Sequence, residues 1–522
     1  MGSYSWAELL GRRPILPAIT TRRNSQDGRA LEFYHSVVAP AFSQFPGDDF
    51  WTRLVAQASL QEPAVRHAVV AISSMYELIE PDQPSDGFLA TQRGRYALLQ
   101  YNQSLQQLTQ TRDESVVLFV CVLFICIEAL RGNKQGALTH CRHGIRVLNN
   151  LTANGQSWVA DYFRPIFVRL AGCPFFISPS ARGIPLPLGA DVEDTPGPPR
   201  SYEDLRYRIK LLAAAVVRFV NEYDLQPPDK PGPPPDYTMF FNRQTHILSK
   251  TQQWLRDFDV LVVSNPPPET CISPYLQLKM TAHSITVWVS SFGSESENVY
   301  AAHEETFRKI VDTAQEIRAH RDRFFDSGSK TQPRPIPKFI PELAFVPSLF
   351  LTATKCRNLA MRQAAVECME ALAPGRENIW QTPVLCEVAR RIIEVEHPEI
   401  RSGIAHATSS ETVVGVELVG GGSSSLNNVA CRLLSHPETY NTVAVNGGRI
   451  ALSTTACSPE LKISNLSISI GKCRVTPATD ESIPVDPALC GSVPDVTESP
   501  ILRMMPIRGK PKTETPTEDN GN

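Results

Sequence analysis

The chain has 522 residues, with 51 Lys and Arg against 54 Asp and Glu, so its formal net charge is only −3. That balance excludes a polybasic protein that coats nucleic acid by charge alone, while 42% hydrophobic and 20% charged residues suffice for a large globular core. Of the 41 Phe, Trp and Tyr residues only Tyr440 lies beyond residue 397, and a tail of 125 residues without Phe or Trp is poorly equipped to build its own core.

The twelve cysteines include no C-x-x-C pair, and no cationic flank leads into an apolar run at the N-terminus, so a secreted disulfide framework is not expected. Gly2 is followed by Trp6 where a myristoylation signal needs Ser or Thr. The longest apolar run, Val116 to Ile127, has 12 residues, short of the roughly 20 that span a bilayer. It predicts a buried helix, and no membrane association is expected.

In chain order, residues 1–30 carry Arg12, Arg13, Arg22, Arg23 and Arg29 without an apolar period, and read as a flexible basic leader rather than a nuclear-import signal. Helical patterning starts at Phe33. Pro63, after Glu62, sits at a first helical position, and Val65, Ala68, Val69, Ile72, Met75, Tyr76 and Ile79 make one apolar stripe. A helix over about 92–109 follows, then a central one at 115–130, a tight turn at Gly132-Asn133, and a helix with Leu138, Cys141, Ile145 and Leu148 on one face. Proline-rich connectors at 184–200, 227–235, 266–268 and 333–347 separate helices expected at about 202–222, 239–260, 274–292, 301–325, 346–373 and 383–396, with no strand-rich block between them. The fold class is all-α, a multi-helix bundle or solenoid-like domain over 31–397. The tail, 398–522, is expected to be of low order, with a β-hairpin about Asn446-Gly447 and further alternation at Leu466, Ile468 and Ile470.

A search for chemistry returns no catalytic constellation. There is no nucleophile elbow, Walker loop or dinucleotide fingerprint. His140-Cys141-Arg142-His143 lacks the second ligand pair that structural zinc needs, and reads as a core cysteine between surface histidines. Asp48-Asp49 reads as a helix N-cap before Phe50-Trp51, since a diphosphate-binding carboxylate pair has no second ligand set. What stands out are polar positions among apolar helices: Arg66 and His67, Glu128, Arg131-Gly132, and Arg376-Glu377 ahead of Trp380. Buried pairing that sets helix register is the plainer reading, and ligand sensing the sharper one.

Segments 33–77, 116–148, 355–380 and 388–396 together resemble the regulatory domain of fungal binuclear-zinc-cluster transcription factors. The features that carry the resemblance are Phe50-Trp51, Glu62-Pro63-Ala64-Val65-Arg66, Glu128 with Arg131-Gly132, and Arg376-Glu377-x-x-Trp380. The resemblance implies an all-α regulatory domain at work in the nucleus, often on metabolic gene clusters. Those factors place a six-cysteine zinc cluster ahead of this domain, whereas here no cysteine precedes Cys121. The expectation is therefore a nuclear transcriptional regulator that is not an enzyme, needs no cofactor or metal, and lacks autonomous DNA binding. It would act through other transcription factors or co-regulators, as a homo- or heterodimer. The competing readings are a cytosolic helical scaffold and a helical enzyme of secondary metabolism.

Overall fold

The computed structural model describes residues 26–79, 91–111, 113–155, 157–171, 185–190, 197–223, 237–268, 272–294, 297–326, 336–378 and 380–397, and four strands within 415–456. The N-terminal helices are α1 (Gln26–Phe33), α2 (Ala39–Phe42), α3 (Val55–Gln61), α4 (Pro63–Leu78), α5 (Gln92–Leu108), α6 (Glu114–Leu130), α7 (Lys134–Ala153) and α8 (Ser157–Ala171), with single π-turns at Tyr34–Val38 and Phe50–Leu54. Then come α9 (Tyr202–Tyr223), α10 (Tyr237–Ser264), α11 (Ile272–Ser291) and α12 (Glu304–Asp326). Strand β1 (Phe339–Ile340) precedes α13 (Val346–Lys355) and α14 (Leu359–Leu372), and β2 (Arg376–Glu377) and β3 (Trp380–Gln381) precede α15 (Thr382–Glu396).

Short polar caps start several of these helices. Thr91, Asp113, Asn133 and Asn358 each accept a backbone N–H of the first turn through the side chain, at 2.8–3.3 Å. Pro63 begins α4 at the position where its missing N–H is not needed. Helix α6 is buried at fifteen of its 17 residues, and α4, α5 and α7 pack around it. Tyr101 of α5 meets His140 of α7 at 3.2 Å, which closes the four helices into a bundle. One contiguous cluster of buried side chains continues from Ala30 to Ile393.

Three expectations are corrected. The single helix over 346–373 is two, because Cys356 turns extended and Asn358 caps a new start at α14. Arg376, Glu377 and Trp380 lie on strands, not in a helix: β2 pairs parallel with β1 and antiparallel with β3. Strands of two residues carry no periodicity to read. The turn between β2 and β3 uses Asn378 at φ 58°, a left-handed conformation that asparagine tolerates. Asp49 makes no side-chain cap and pairs with Arg53 at 3.1 Å, while Asp48 turns inward.

In the tail, β6 (Thr439–Asn446) and β7 (Arg449–Ala456) form the expected hairpin, with Asn446 paired to Arg449. The hairpin belongs to a larger antiparallel sheet with β4 (Gly415–Val419) and β5 (Asn428–His436), in the order β4-β5-β6-β7. The leader 1–25, the segment 227–235 and Leu466, Ile468 and Ile470 lie outside the described residues.

Helix α7 approaches α8 closely because Gly144 has no side chain. A Cβ there would stand 2.3 Å from Cζ of Phe167 and 3.2 Å from Cβ of Cys121. Both neighbours are buried, so the cost cannot be relieved into solvent. Gly144→Ala is expected to destabilise the fold by about 1–3 kcal/mol, read as a lower urea midpoint with an unchanged slope.

Candidate functional site

Each motif residue has a defined structural partner. Phe50 and Trp51 meet edge-on with ring centroids 4.9 Å apart. Phe42 meets Trp51 at 5.0 Å, and Phe50 stacks on Phe119 of α6 and meets Phe163 of α8, both at 5.9 Å. These aromatic contacts bind the chain's first helices to the central pair. Glu62 lies extended at the join between α3 and α4, where its carbonyl accepts the Arg66 N–H. The Arg66 side chain turns back to the end of α3, with Nε 3.0 Å from Ser59 O and Nη2 2.8 Å from Leu60 O. His67 Nδ1 reaches Gln100 Oε1 of α5 at 2.6 Å.

At the end of α6, the buried Glu128 pairs with Arg131 at 2.8 Å, and the Arg131 guanidinium lies 5.9 Å from the centroid of the Tyr101 ring. Burial, helped by the Glu128 carboxylate, raises the Tyr101 pKa, and burial lowers that of His140, so both rings are neutral at pH 7. Gly132 makes the turn at φ 72°. A Cβ at Gly136 would stand 2.8 Å from the Glu128 carboxylate, which places that acid beside the first turn of α7. From the far end of the sequence, Arg376 Nη1 donates to Leu130 O, the last carbonyl of α6, at 3.1 Å. Its neighbour Glu377 accepts the N–H groups of Ala344, Phe345 and Val346 at 2.8, 2.8 and 3.1 Å, at the start of α13. Trp380 is buried opposite Glu377 in the strand pair.

The structure therefore brings Glu128, Arg131, Gly132 and Arg376 to one end of α6. Phe50, Trp51, Glu62, Pro63, Arg66 and His67 fasten other junctions, and the set does not converge on a cavity. A shallow cavity of about 170 Å³ is lined by Pro46, Tyr202, Asn265, Pro266, Pro267, Pro268 and Tyr275, none of them a motif residue. Among the described residues no three His, Cys, Asp or Glu come together to hold a metal ion, and no helix is long and apolar enough to cross a membrane. Cys121 and Cys141 are buried in the core, and burial pushes the Cys121 thiol up to about 12.

A buried ionic cluster was missed at the level of sequence. Glu342, in the loop between β1 and α13, meets Arg169 of α8 at 2.8 Å, Arg206 of α9 at 3.4 Å and Lys210 of α9 at 3.6 Å. Asp48 joins through Arg206 at 2.9 Å and Arg169 at 3.6 Å, and the Arg206 guanidinium sits 4.0 Å above the Phe45 ring. Burial disfavours the Glu342 charge, but Arg169, Arg206 and Lys210 overcome it and hold the carboxyl at about 2. Glu377, also wholly buried, is pushed up to about 7 by burial, against the three backbone N–H groups and Lys210. The available signal was cations set inside apolar stripes: Arg206 and Lys210 sit one turn apart among Leu205, Ile209 and Leu212.

Two outcomes follow from this geometry. Arg206→Leu leaves Asp48 and Glu342 short of a buried cation and is expected to cost about 3–5 kcal/mol in chemical denaturation. For Glu377 the folded pKa lies above the unfolded one, so its contribution is present at low pH and lost as pH rises through about 7. The urea midpoint should fall as pH rises from about 4.5 to about 7 and level off above that, and Glu377→Gln, which cannot ionise, should flatten that fall. Glu342 has the opposite sign: its contribution is lost as pH drops from about 4.5 towards 2.

Comparison with known proteins places this arrangement. Residues 29–170, from α1 through nearly all of α8, match the fungal specific transcription factor domain. That span holds the motif residues from Phe50 to Gly132 and stops short of Arg376, Glu377 and Trp380. The chain is 30% identical over 152 residues to the aspercryptin biosynthesis cluster-specific transcription regulator atnN of Emericella nidulans, covering 27% of this chain and 23% of that protein. It is 30% identical over 151 residues to the transcription regulator lscL of Purpureocillium lilacinum, covering 27% of this chain and 36% of that protein. The match thus spans about a quarter to a third of the length of these relatives. No solved structure matches the chain. Over residues 29–170, about a quarter of its length, the chain is thus similar to the fungal specific transcription factor domain.

Proposed function

We propose that this protein is a nuclear regulator of transcription that controls a metabolic gene cluster through protein partners. The observation that carries the reading is the match of α1–α8 to a fungal specific transcription factor domain, beside the similarity to two relatives named as transcription regulators. One of these is named for a single biosynthetic cluster. The relatives are named as regulators, and among the described residues the cysteines are buried in the core. The partners envisaged are other transcription factors or co-regulators, in a homo- or heterodimer.

The polar motif positions support this reading as structural fasteners of a regulatory body: Arg66, Glu128, Arg131, Arg376 and Glu377 bind helix ends. A regulator that works by presenting surfaces to partners depends on such rigidity. The test is deletion of the gene with transcript profiling, alongside fluorescent tagging of the full chain. One contiguous group of biosynthetic genes should change by tenfold or more on the order of a regulatory switch, with the tagged protein in nuclei. Unchanged transcripts, or steady exclusion from nuclei, would overturn the proposal in favour of the scaffold reading.

A further inference from the structure

Residues 185–190 lie outside any helix, between α8 and α9 in the sequence, and are fastened to α7, α8 and α9 together. Asn149 of α7 pairs with this segment as one strand pairs with another. Its Nδ2 donates to Leu186 O at 2.8 Å, and its Oδ1 accepts the Leu188 N–H at 2.7 Å. Nε of Arg164, on α8, donates to Leu188 O at 2.7 Å. All three bonds end on main-chain atoms, so they hold an extended backbone whatever side chains it carries. The Ala190 N–H then returns to Pro187 O at 3.1 Å, with Gly189 at φ 69° inside the turn. A Cβ at Gly189 would stand 3.6 Å from Cζ of Arg164, so the turn is seated against that guanidinium.

Side chains contribute less to this attachment. Leu188 is 47% exposed, and the buried residues of the segment are Pro187 and Ala190. Ala190 packs with Val168 of α8 and Leu211 of α9, beside the half-buried Tyr207, in a cluster separate from the main core. Arg164 and Val168 are one turn apart on α8, so the polar clamp and the apolar floor adjoin. Helix α7 packs on α8 and α8 on α9, and the six residues bridge all three. A segment held by backbone bonds over a satellite cluster can lift while the main core stays packed.

We infer that the groove lined by Asn149, Arg164, Val168 and Leu211 docks an extended, proline-containing segment of a partner protein, and that residues 185–190 are its resident occupant, displaced when the partner binds. The resident defines the chemistry of the partner. Asn149 takes a carbonyl and an N–H two residues apart, as on Leu186 and Leu188. A glycine must follow to adopt the left-handed turn, and then a small apolar residue to cover Val168 and Leu211. An attached occupant holds the groove at high effective concentration, so only a partner that is abundant or tightly bound displaces it.

The experiment uses the full chain and a labelled synthetic peptide with the sequence of residues 184–191, followed by fluorescence anisotropy. Ala190→Asp sets a carboxylate against Val168 and Leu211, and should release the resident while every groove residue stays in place. The peptide should bind this variant about tenfold or more tightly than the wild type, which its own segment blocks. Adding Asn149→Leu should abolish that gain, and a peptide with valine in place of the glycine should bind several-fold less tightly. Equal binding by the wild type and Ala190→Asp overturns the inference, as does a gain that survives Asn149→Leu. Hydrogen exchange on the wild type decides the matter if Ala190→Asp misfolds by circular dichroism. The Leu188 and Ala190 amides should be protected, yet exchange at least about tenfold faster than those of α6. Exchange of these amides only together with α6 makes the segment part of the core and overturns the inference. A wild-type dimer that the peptide dissociates from neither copy assigns the groove to a second copy, and overturns it too. Every readout is on the purified chain, so failure here leaves the transcript test of the regulatory role untouched, and failure of that test leaves the groove standing.

Discussion

Glu342 is the point on which the second half of the molecule is hung. A carboxylate without solvent costs several kcal/mol on the order of a large share of a domain's net stability unless it is surrounded by cations. Here Arg169, Arg206 and Lys210 surround it, brought by two different helices, and Asp48 balances the arginines from the chain's first loop. The cluster therefore closes only when the N-terminal loop, α8, α9 and the β1–α13 loop are all in place. Apolar packing alone would let these elements slide over one another with little change in buried area. A buried set of charges has one arrangement that satisfies every member, and so it selects a single register.

The helix ends repeat the same logic on a smaller scale. Several helices end against an arginine from another element, and of these α3, α6 and α14 have no basic residue in their own last turn. Arg66 donates to carbonyls at the end of α3, Arg376 to the end of α6, Arg362 to Ala353 near the end of α13, and Arg321 to Ala371 at the end of α14. Each places a positive charge against the negative pole of a helix and occupies carbonyls that have no partner within it. Glu377 does the converse at the start of α13. The adjacent Arg376 and Glu377 thus hold opposite poles of two helices from one short strand. That strand ties the region matched to the transcription factor domain to the part of the chain beyond it.

Much of the helical plan was legible because helix periodicity is a local signal. Pro63 fixed the start of α4, the apolar run marked α6 as central, and the Gly132-Asn133 turn set α7 antiparallel to it. The polar motif positions were legible as a set, since charged residues next to apolar stripes stand out in any chain. Their partners were not. Nothing in the local sequence joins Arg376 to Leu130, 246 positions away, or tells that Glu377 faces three amides instead of a cation. The break at Cys356–Asn358 was hidden because its flanks both carry helical periodicity, and the cap that divides them is one asparagine. Asp48 reads as a cap in the sequence because position is visible there and side-chain direction is not.

Composition separates a core-forming part from a tail poor in aromatics, and the helical core lies within the first part. The near-zero net charge conceals an uneven distribution: α5 and α7 contain no Asp or Glu, while several cations are consumed in the interior. Sequence by itself determined the helices, their order and the residues that would need partners, since each follows from spacing along the chain. Only the tertiary structure decided which charges meet, which helix ends are capped from afar and which cations remain on the surface. Those outcomes depend on contacts between residues far apart in sequence, and long-range pairing leaves no periodic trace.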